Sequence, residues 1–248
     1  MRRRPLHSPA PRGRGSPGTS GRRSRASARV PRRGAAQGPA LGRLLVLEGL
    51  DGAGTTTQAA LLAERLRAAG RRVHLTAEPS GGPIGALIRQ VLKGRIGGAP
   101  GGREPFDPWA LALLFAADRR DHHGTEIAPK LAAGIDVVCD RFTTSSLAYQ
   151  GAQLGDMDWV AGANREAADA EVVLFLRVRP EIALRRRHAA SVDREIFEVS
   201  AFQRKVARRY EEAIARQRDA GQAVVEIDGE RSVDEVAAAV WDAVRRLR

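Results

Sequence analysis

Short, almost wholly apolar runs alternate along the chain with longer segments whose apolar positions recur at helical spacing. Leu44 to Glu48 (LLVLE) reads as a strand; a glycine-rich turn follows, and Thr57 to Ala69 reads as a helix stopped by Gly70. Arg72 to Thr76 is a second strand and Pro83 to Leu92 a helix. The stretch 94–108 is rich in glycine and proline and reads as a loop. Trp109 to Leu131 is a long helix with a break expected near Pro129, and Ile135 to Cys139 a third strand. Glu171 to Val178 is a fourth strand, Pro180 to Arg187 and Ala201 to Arg218 are helical, and Ala223 to Ile227 is a fifth strand. Val233 to Leu247 closes the pattern as a helix with Val236, Ala237, Val240, Trp241 and Val244 on one face. Strands this apolar, separated by helices, are covered on both sides. The expected fold class is α/β: a three-layer α/β/α unit on a five-stranded parallel sheet.

Charge divides the chain of 248 residues in two. Residues 1–43 hold twelve arginines and no Asp or Glu, so the whole formal charge of +12 sits there and the rest is neutral. Residues 1–42, dominated by Arg, Pro, Gly, Ser and Ala without period, bury too little apolar surface to offset ordering and read as a disordered extension. It is either dispensable, a weak nonspecific contact to nucleic acid or anionic lipid, or a targeting segment. Residues 43–248 form the folded domain, and its neutral composition excludes a generally basic nucleic-acid platform. One cysteine, Cys139, excludes an intramolecular disulfide framework and a zinc cluster of several thiolates. No apolar run approaches bilayer-spanning length, and a cytoplasmic location is expected.

The clearest chemical signal is Gly49-Leu50-Asp51-Gly52-Ala53-Gly54-Thr55-Thr56-Thr57, which follows a strand and opens a helix. That context presents successive backbone N–H groups and a helix N-terminus to a phosphate chain. Thr56 stands where a hydroxyl reaches a bound Mg²⁺. The residue before it, Thr55, occupies the position that a lysine fills in the usual pattern.

Asp140 and Arg141 stand just past the third strand, where open α/β sheets place ligand groups. The hydroxyls, rings and amide of Phe142 to Gly151, Ser146, Tyr149 and Gln150 among them, suit a sugar, a base and a phosphate; a polar helix start capped by Asp140 is the plainer account. Phe115 and Arg119 are four residues apart and share a helix face, offering stacking and hydrogen bonds to a nucleobase, or simply a core ring beside a surface arginine. Asp118 is placed to orient an arginine. Glu78, past the second strand, is a site carboxylate or a surface acid. Arg185, Arg186, Arg187 and Arg194 either close over phosphates or form a solvated face. His122, His123 and His188 lack the partners of a metal site.

Four motifs in order, LEGLDGAGTTTQ, TAEPSGGPIG, LLFAADR and CDRFTTSSLAYQG, make the chain from about Leu44 onward resemble the thymidylate kinases. The resemblance implies a fold like that of the phosphate-loop nucleoside monophosphate kinases. It also implies transfer of the ATP γ-phosphate to dTMP, giving dTDP and ADP for dTTP synthesis, with Mg²⁺ held near Thr56 and Asp140. Residues 49–57 would bind ATP. Phe115 would stack on thymine, Arg119 would bond its edge, Gln150 would help hold the base, and Glu78 and Ser146 would complete the acceptor site. Tyr149 would pack on the deoxyribose, Asp51 would approach the 3′-hydroxyl or the metal region, and Arg141 would contact the transferring phosphates. A lid over about 185–195 would supply catalytic arginines, Arg187 and Arg194, and the LLFAAD region would take part in a homodimer. Two departures stand out: Thr55 replaces the loop lysine, and Ala77 replaces an arginine before Glu-Pro. They leave as alternatives a nucleotide-binding homologue with little or no transfer and a kinase for another nucleoside monophosphate.

Overall fold

The computed structural model describes residues 41–98, 105–187 and 196–247. The expected extension, apart from its last two residues, and Arg194 therefore lie outside the described residues.

All five expected strands form. They are β1 (Leu44–Gly49), β2 (Val73–Ala77), β3 (Asp136–Asp140), β4 (Val172–Arg177) and β5 (Val224–Asp228), all parallel in the order β2-β3-β1-β4-β5. The helices are α1 (Thr55–Ala68), α2 (Pro83–Leu92), α3 (Pro108–His122), α4 (Ala128–Ala132), α5 (Thr143–Leu154), α6 (Met157–Ala163), α7 (Pro180–Arg187), α8 (Ile196–Asp219) and α9 (Val233–Arg245). Every residue of β1 and β3 is buried, as central strands of a covered parallel sheet must be. Alternate residues of β1 serve different clusters. Leu45 and Leu47 join the larger one with Leu62 and Leu66 of α1, and Leu44 and Val46 join Ile127, Val137 and Cys139.

Several boundaries differ from the sequence pattern, among them the start of α8, which lies at Ile196, five residues before the expected Ala201. Helix α1 begins at Thr55, inside the glycine turn. The long helix changes geometry at a π-helical turn, His123–Ile127, not at Pro129, which lies in the first turn of α4 where no N–H is needed. Helices α5 and α6 were not delimited by apolar spacing. In α5 the run TTSSLAYQGAQL combines weak helix formers with a central glycine, and packing against α8 overrides propensity. The N-terminus of α9 carries its own signal, a capping box of Ser232 and Glu235.

Register sets up the site. Leu47 and Ala77 both pair with Asp140, and Gly49 pairs with Leu176. The glycine loop, the Glu78-Pro79 segment and the Asp140-Arg141 pair therefore leave the sheet side by side at its C-terminal edge.

Asp136, at the other end of β3, is fully buried and receives Arg43 and Arg71, each at 2.8 Å. Desolvation opposes its charge, but hydrogen bonds from Arg71 and Arg43 outweigh it and hold the carboxyl far below the usual range. A depressed carboxylate contributes stability above its unfolded value, about pH 4, that is lost as pH falls through the folded value. Asp136→Asn is expected to lower stability at pH 7 by about 2 kcal/mol. That is less than the roughly 3–5 kcal/mol of a fully buried pair, because Arg71 is 43% exposed and turns to water. Denaturant unfolding of both proteins at pH 7 and pH 3 checks this: the gap narrows on acidification, and a gap unchanged with pH rejects it.

Candidate active site

The loop after β1 is shaped by glycine where no other residue serves. Gly52 has φ +91°, and a Cβ there would collide with the carbonyl of Ala183 in α7. Gly54, at φ +95°, is the N-cap of α1 and offers it no side-chain bond. The first N–H groups of α1 are thus left for an anion. Leu50 and Ala53 are buried, so they present backbone and not side chain to a ligand. Thr55 is also buried, with its methyl packed toward Gly49, and supplies no charge. Thr56 Oγ1 donates to Asp140 Oδ2 at 2.5 Å, while Asp140 Oδ1 is buried with no hydrogen-bond partner among the described residues. Thr57 is exposed on α1.

Arg141 has φ 73°, a left-handed conformation that costs a non-glycine residue about 1–3 kcal/mol. Its N–H donates to Leu47 O at 2.8 Å, and its guanidinium is held on several sides. Nη2 meets Asp51 Oδ1 at 2.8 Å; Nη1 donates to Ser145 Oγ at 3.1 Å and to Tyr210 Oη at 3.2 Å; the group lies 5.2 Å from the centre of the Tyr149 ring. Tyr149 Oη accepts from the Asp51 N–H at 2.9 Å, and burial pushes its phenol up to about 12, so it remains a neutral hydrogen-bonding group.

Next to these lies a cavity of about 380 Å³. Asp51, Arg141 and Tyr149 line its loop end. Phe115, Arg119, Glu78, Ser146 and Gln150 line the rest, with Phe142, Leu92, Gln153 and Phe202 among their neighbours. Arg119 is nearly inaccessible. Its Nη2 donates to Phe142 O and Ser146 Oγ, both at 3.0 Å, and pairs with Glu78 Oε2 at 2.7 Å; Nη1 donates to Asn164 Oδ1. Its Nε is buried without a partner among the described residues. The apolar walls and few convergent polar groups are those of a small-molecule site.

The structure thus brings together Asp51, Glu78, Phe115, Arg119, Arg141, Ser146, Tyr149 and Gln150 around one cavity, with residues 49–57 and Asp140 beside it. Glu78 is a buried carboxylate of this site and not a surface acid. Asp118 does not have the expected role: its oxygens accept from Ser80 N–H at 2.7 Å and Ser80 Oγ at 2.6 Å, fixing the loop after Glu78. Arg186 donates to Gly229 O and Glu230 O, so its hydrogen bonds go to the turn after β5. Arg187 ends α7; its side chain and Arg194 lie outside what is described. Sequence reasoning missed Glu48, Tyr210, Asn164 and Phe202. Of these only Glu48 carried a signal, as an acid ending an otherwise apolar strand.

A parallel sheet in this order, with a phosphate loop after its first strand, an Asp-Arg pair after its third and a small-molecule cavity alongside, defines a phosphate-loop nucleoside monophosphate kinase fold. Comparison with known proteins narrows the class. The thymidylate kinase family model matches residues 47–240, and the chain belongs to that family. It is 42% identical over 217 residues to the thymidylate kinase of Rhodopseudomonas palustris (strain BisB18), covering 83% of this chain and 89% of the relative. To that of Synechococcus sp. (strain JA-2-3B'a(2-13)) it is 41% identical over 204 residues, covering 81% and 93%. To that of Thermomicrobium roseum it is 40% identical over 209 residues, covering 82% and 94%.

Proposed function

We propose that the protein transfers the γ-phosphoryl group of ATP to dTMP, giving dTDP and ADP and so feeding dTTP synthesis. One observation carries the reading. A single cavity has a ring and a buried guanidinium, Phe115 and Arg119, and an ion-paired Arg141 at the mouth of the phosphate loop. A nucleotide with its base against the first pair presents its phosphate to the second. Arg119 Nε and Ser146 address the base edge, Gln150 helps hold it, and Tyr149 packs under the sugar. Asp51 orients Arg141 and meets the sugar hydroxyl. Arg141 steadies charge on the transferring phosphoryl, where positioning and electrostatics supply most of the rate.

The donor set fits a hard divalent cation: a hydroxyl, Thr56, and a carboxylate with one orphaned oxygen, Asp140. No cluster of three or more His, Cys, Asp or Glu suited to a metal occurs among the described residues. Bound there, Mg²⁺ would neutralise phosphate charge. The exposed apolar face of α3, with Leu113 at 53% exposure, supports a homodimer through the LLFAAD segment. No described helix is long and apolar enough to cross a membrane, and a cytoplasmic location belongs to the same reading.

Thr55 and Ala77 are the two residues from which a second reading starts, in which nucleotide binds and transfer is slow. One assay separates the two. The full chain with ATP, dTMP and Mg²⁺ is expected to form dTDP, and EDTA to stop it. Thr55→Lys is expected to raise kcat about tenfold, since one donor in an optimised site is worth roughly 10²–10³. Product from Thr55→Lys alone would establish the second reading, and preference for another monophosphate would overturn the acceptor assignment.

A further inference from the structure

His122 lies one helical turn beyond Arg119, with its side chain wholly buried behind the cavity wall. Both ring nitrogens face carboxylates. Nδ1 is 3.3 Å from Glu78 Oε1; Nε2 is 3.6 Å from Glu126 Oε1 and 2.9 Å from Thr76 Oγ1. A neutral imidazole has one N–H and one lone pair. The Nε2–H tautomer sets the Nδ1 lone pair against Glu78, and the Nδ1–H tautomer leaves the Nε2 lone pair to the Thr76 hydroxyl, with Glu126 beyond it. Only the imidazolium donates toward both.

Neighbouring charge acts in the same direction. The buried charges here include the carboxylates of Glu78 and Asp118 and the guanidinium of Arg119. Protonation of His122 adds a positive charge beside Glu78, which it meets through Nδ1 while Arg119 meets the other carboxylate oxygen. Glu126 is partly exposed and also takes His74 Nε2 at 2.7 Å. Burial opposes charge on His122, but Glu78, Glu126 and Asp118 together outweigh it and raise its proton affinity. The neighbouring His123 goes the other way, held down by burial, Arg120 and His122 itself.

We infer that His122 is a positioning residue for the acceptor site: as an imidazolium it fixes Glu78 against Arg119, and on losing its proton it loosens that pair, so that nucleoside affinity falls as pH rises. The inference rests on the acceptor site proposed above. It concerns ground-state binding, and the expected signature is therefore in acceptor affinity and not in kcat.

Thymidine is the probe, because it lacks the phosphate whose own titration would confuse a profile taken with dTMP. Calorimetric binding to the full chain between pH 6 and pH 9 is expected to show Kd rising about tenfold, within the range usual for linked sites. The midpoint should coincide with that of His122 followed by NMR on histidine-labelled protein. Linkage requires the reciprocal effect: saturating thymidine raises the His122 midpoint. His122→Gln, which keeps hydrogen bonding without a titrating charge, is expected to bind more weakly at pH 6 and to show a flat profile. Affinity independent of pH in the unaltered protein, or an unchanged pH dependence in His122→Gln, overturns the inference. Should the variant not fold, the NMR titration decides: a His122 midpoint indifferent to thymidine overturns it, and a raised one supports it. Absence of thymidine binding at every pH removes the acceptor reading and this inference with it, whereas pH-flat binding removes the inference alone.

Discussion

Arg141→Ala is expected to lower kcat for dTMP phosphorylation roughly 10³-fold, the low end of what an arginine on a transferring phosphoryl group is worth. The protein should stay folded, with its thermal midpoint within a few degrees of the original. Activity falls because the guanidinium is locked in place before substrate arrives: Asp51, Ser145 and Tyr210 hold its nitrogens and Tyr149 lies against it. Charge that is already oriented needs no reorganisation during the reaction. Stability is largely spared for three reasons. The backbone bond from Arg141 N–H to Leu47 O does not depend on the side chain. Asp51 is 38% exposed and turns to water when its partner is removed. Glu48 keeps its bonds from Phe142 and Ser145. Arg141→Lys, with charge but no planar fork, should fall between the two. Steady-state kcat and KM for both substrates, with a thermal melt of each variant, test this. Near-normal turnover in Arg141→Ala would remove the residue from the chemistry; wholesale unfolding would show that its role is structural.

The parallel sheet was legible because strands buried on both faces need unbroken apolar runs, and LLVLE and VVLFLRV are such runs. The loop at 49–57 was legible because glycine is required where φ is positive, as at Gly52 and Gly54. Asp140, Arg141, Phe115, Arg119 and Tyr149 were legible as motif members, and the register of β1, β2 and β3 then explains why separate motifs meet. What stayed hidden depends on long-range contact. Tyr210 is 161 residues from Gly49 yet donates to its carbonyl at 2.9 Å; in the sequence it is one apolar position of an amphipathic helix. His122 looked like one of several histidines without partners, because Glu78 and Thr76 reach it from another strand. Asp118 was misread for the same reason. An acid beside an arginine suggests a pair, whereas α3 turns Asp118 toward Ser80.

Glu48→Ala is expected to destabilise the protein by about 3 kcal/mol, in the range for stripping partners from a buried hydrogen-bonded charge, and to impair acceptor binding as well. Helix α5 has Phe142 at its N-cap, a residue with no oxygen to offer, and no side-chain bond forms there. Glu48, the fifth residue of β1, supplies the cap from outside the helix. Its Oε1 accepts from the N–H groups of Phe142 at 2.9 Å and Ser145 at 3.1 Å, and its Oε2 accepts from the Ser145 hydroxyl at 2.5 Å, with the Tyr210 hydroxyl 3.2 Å away. Alanine would leave the two N–H groups buried and unbonded, and would free the start of the helix that carries Ser145, Ser146, Tyr149 and Gln150. The wall of the acceptor cavity and the brace of Arg141 would loosen together. Burial raises the Glu48 carboxyl above its ordinary value, so desolvation of the ionised form already offsets part of its bonding gain. Glu48→Gln, which keeps one oxygen acceptor and carries no charge, should therefore lose less than half as much stability as Glu48→Ala. The sign with pH follows. A raised carboxyl contributes stability that is present below its unfolded value and lost as pH rises through the folded one, so the advantage of the original protein over Glu48→Gln narrows from acid toward neutral pH. Denaturant unfolding of the three proteins at pH 5 and pH 7.5, with KM for dTMP, measures both effects. Equal losses in the alanine and glutamine variants would place the effect in the charge and not in the cap, and an unchanged KM in Glu48→Ala would separate α5 order from acceptor binding.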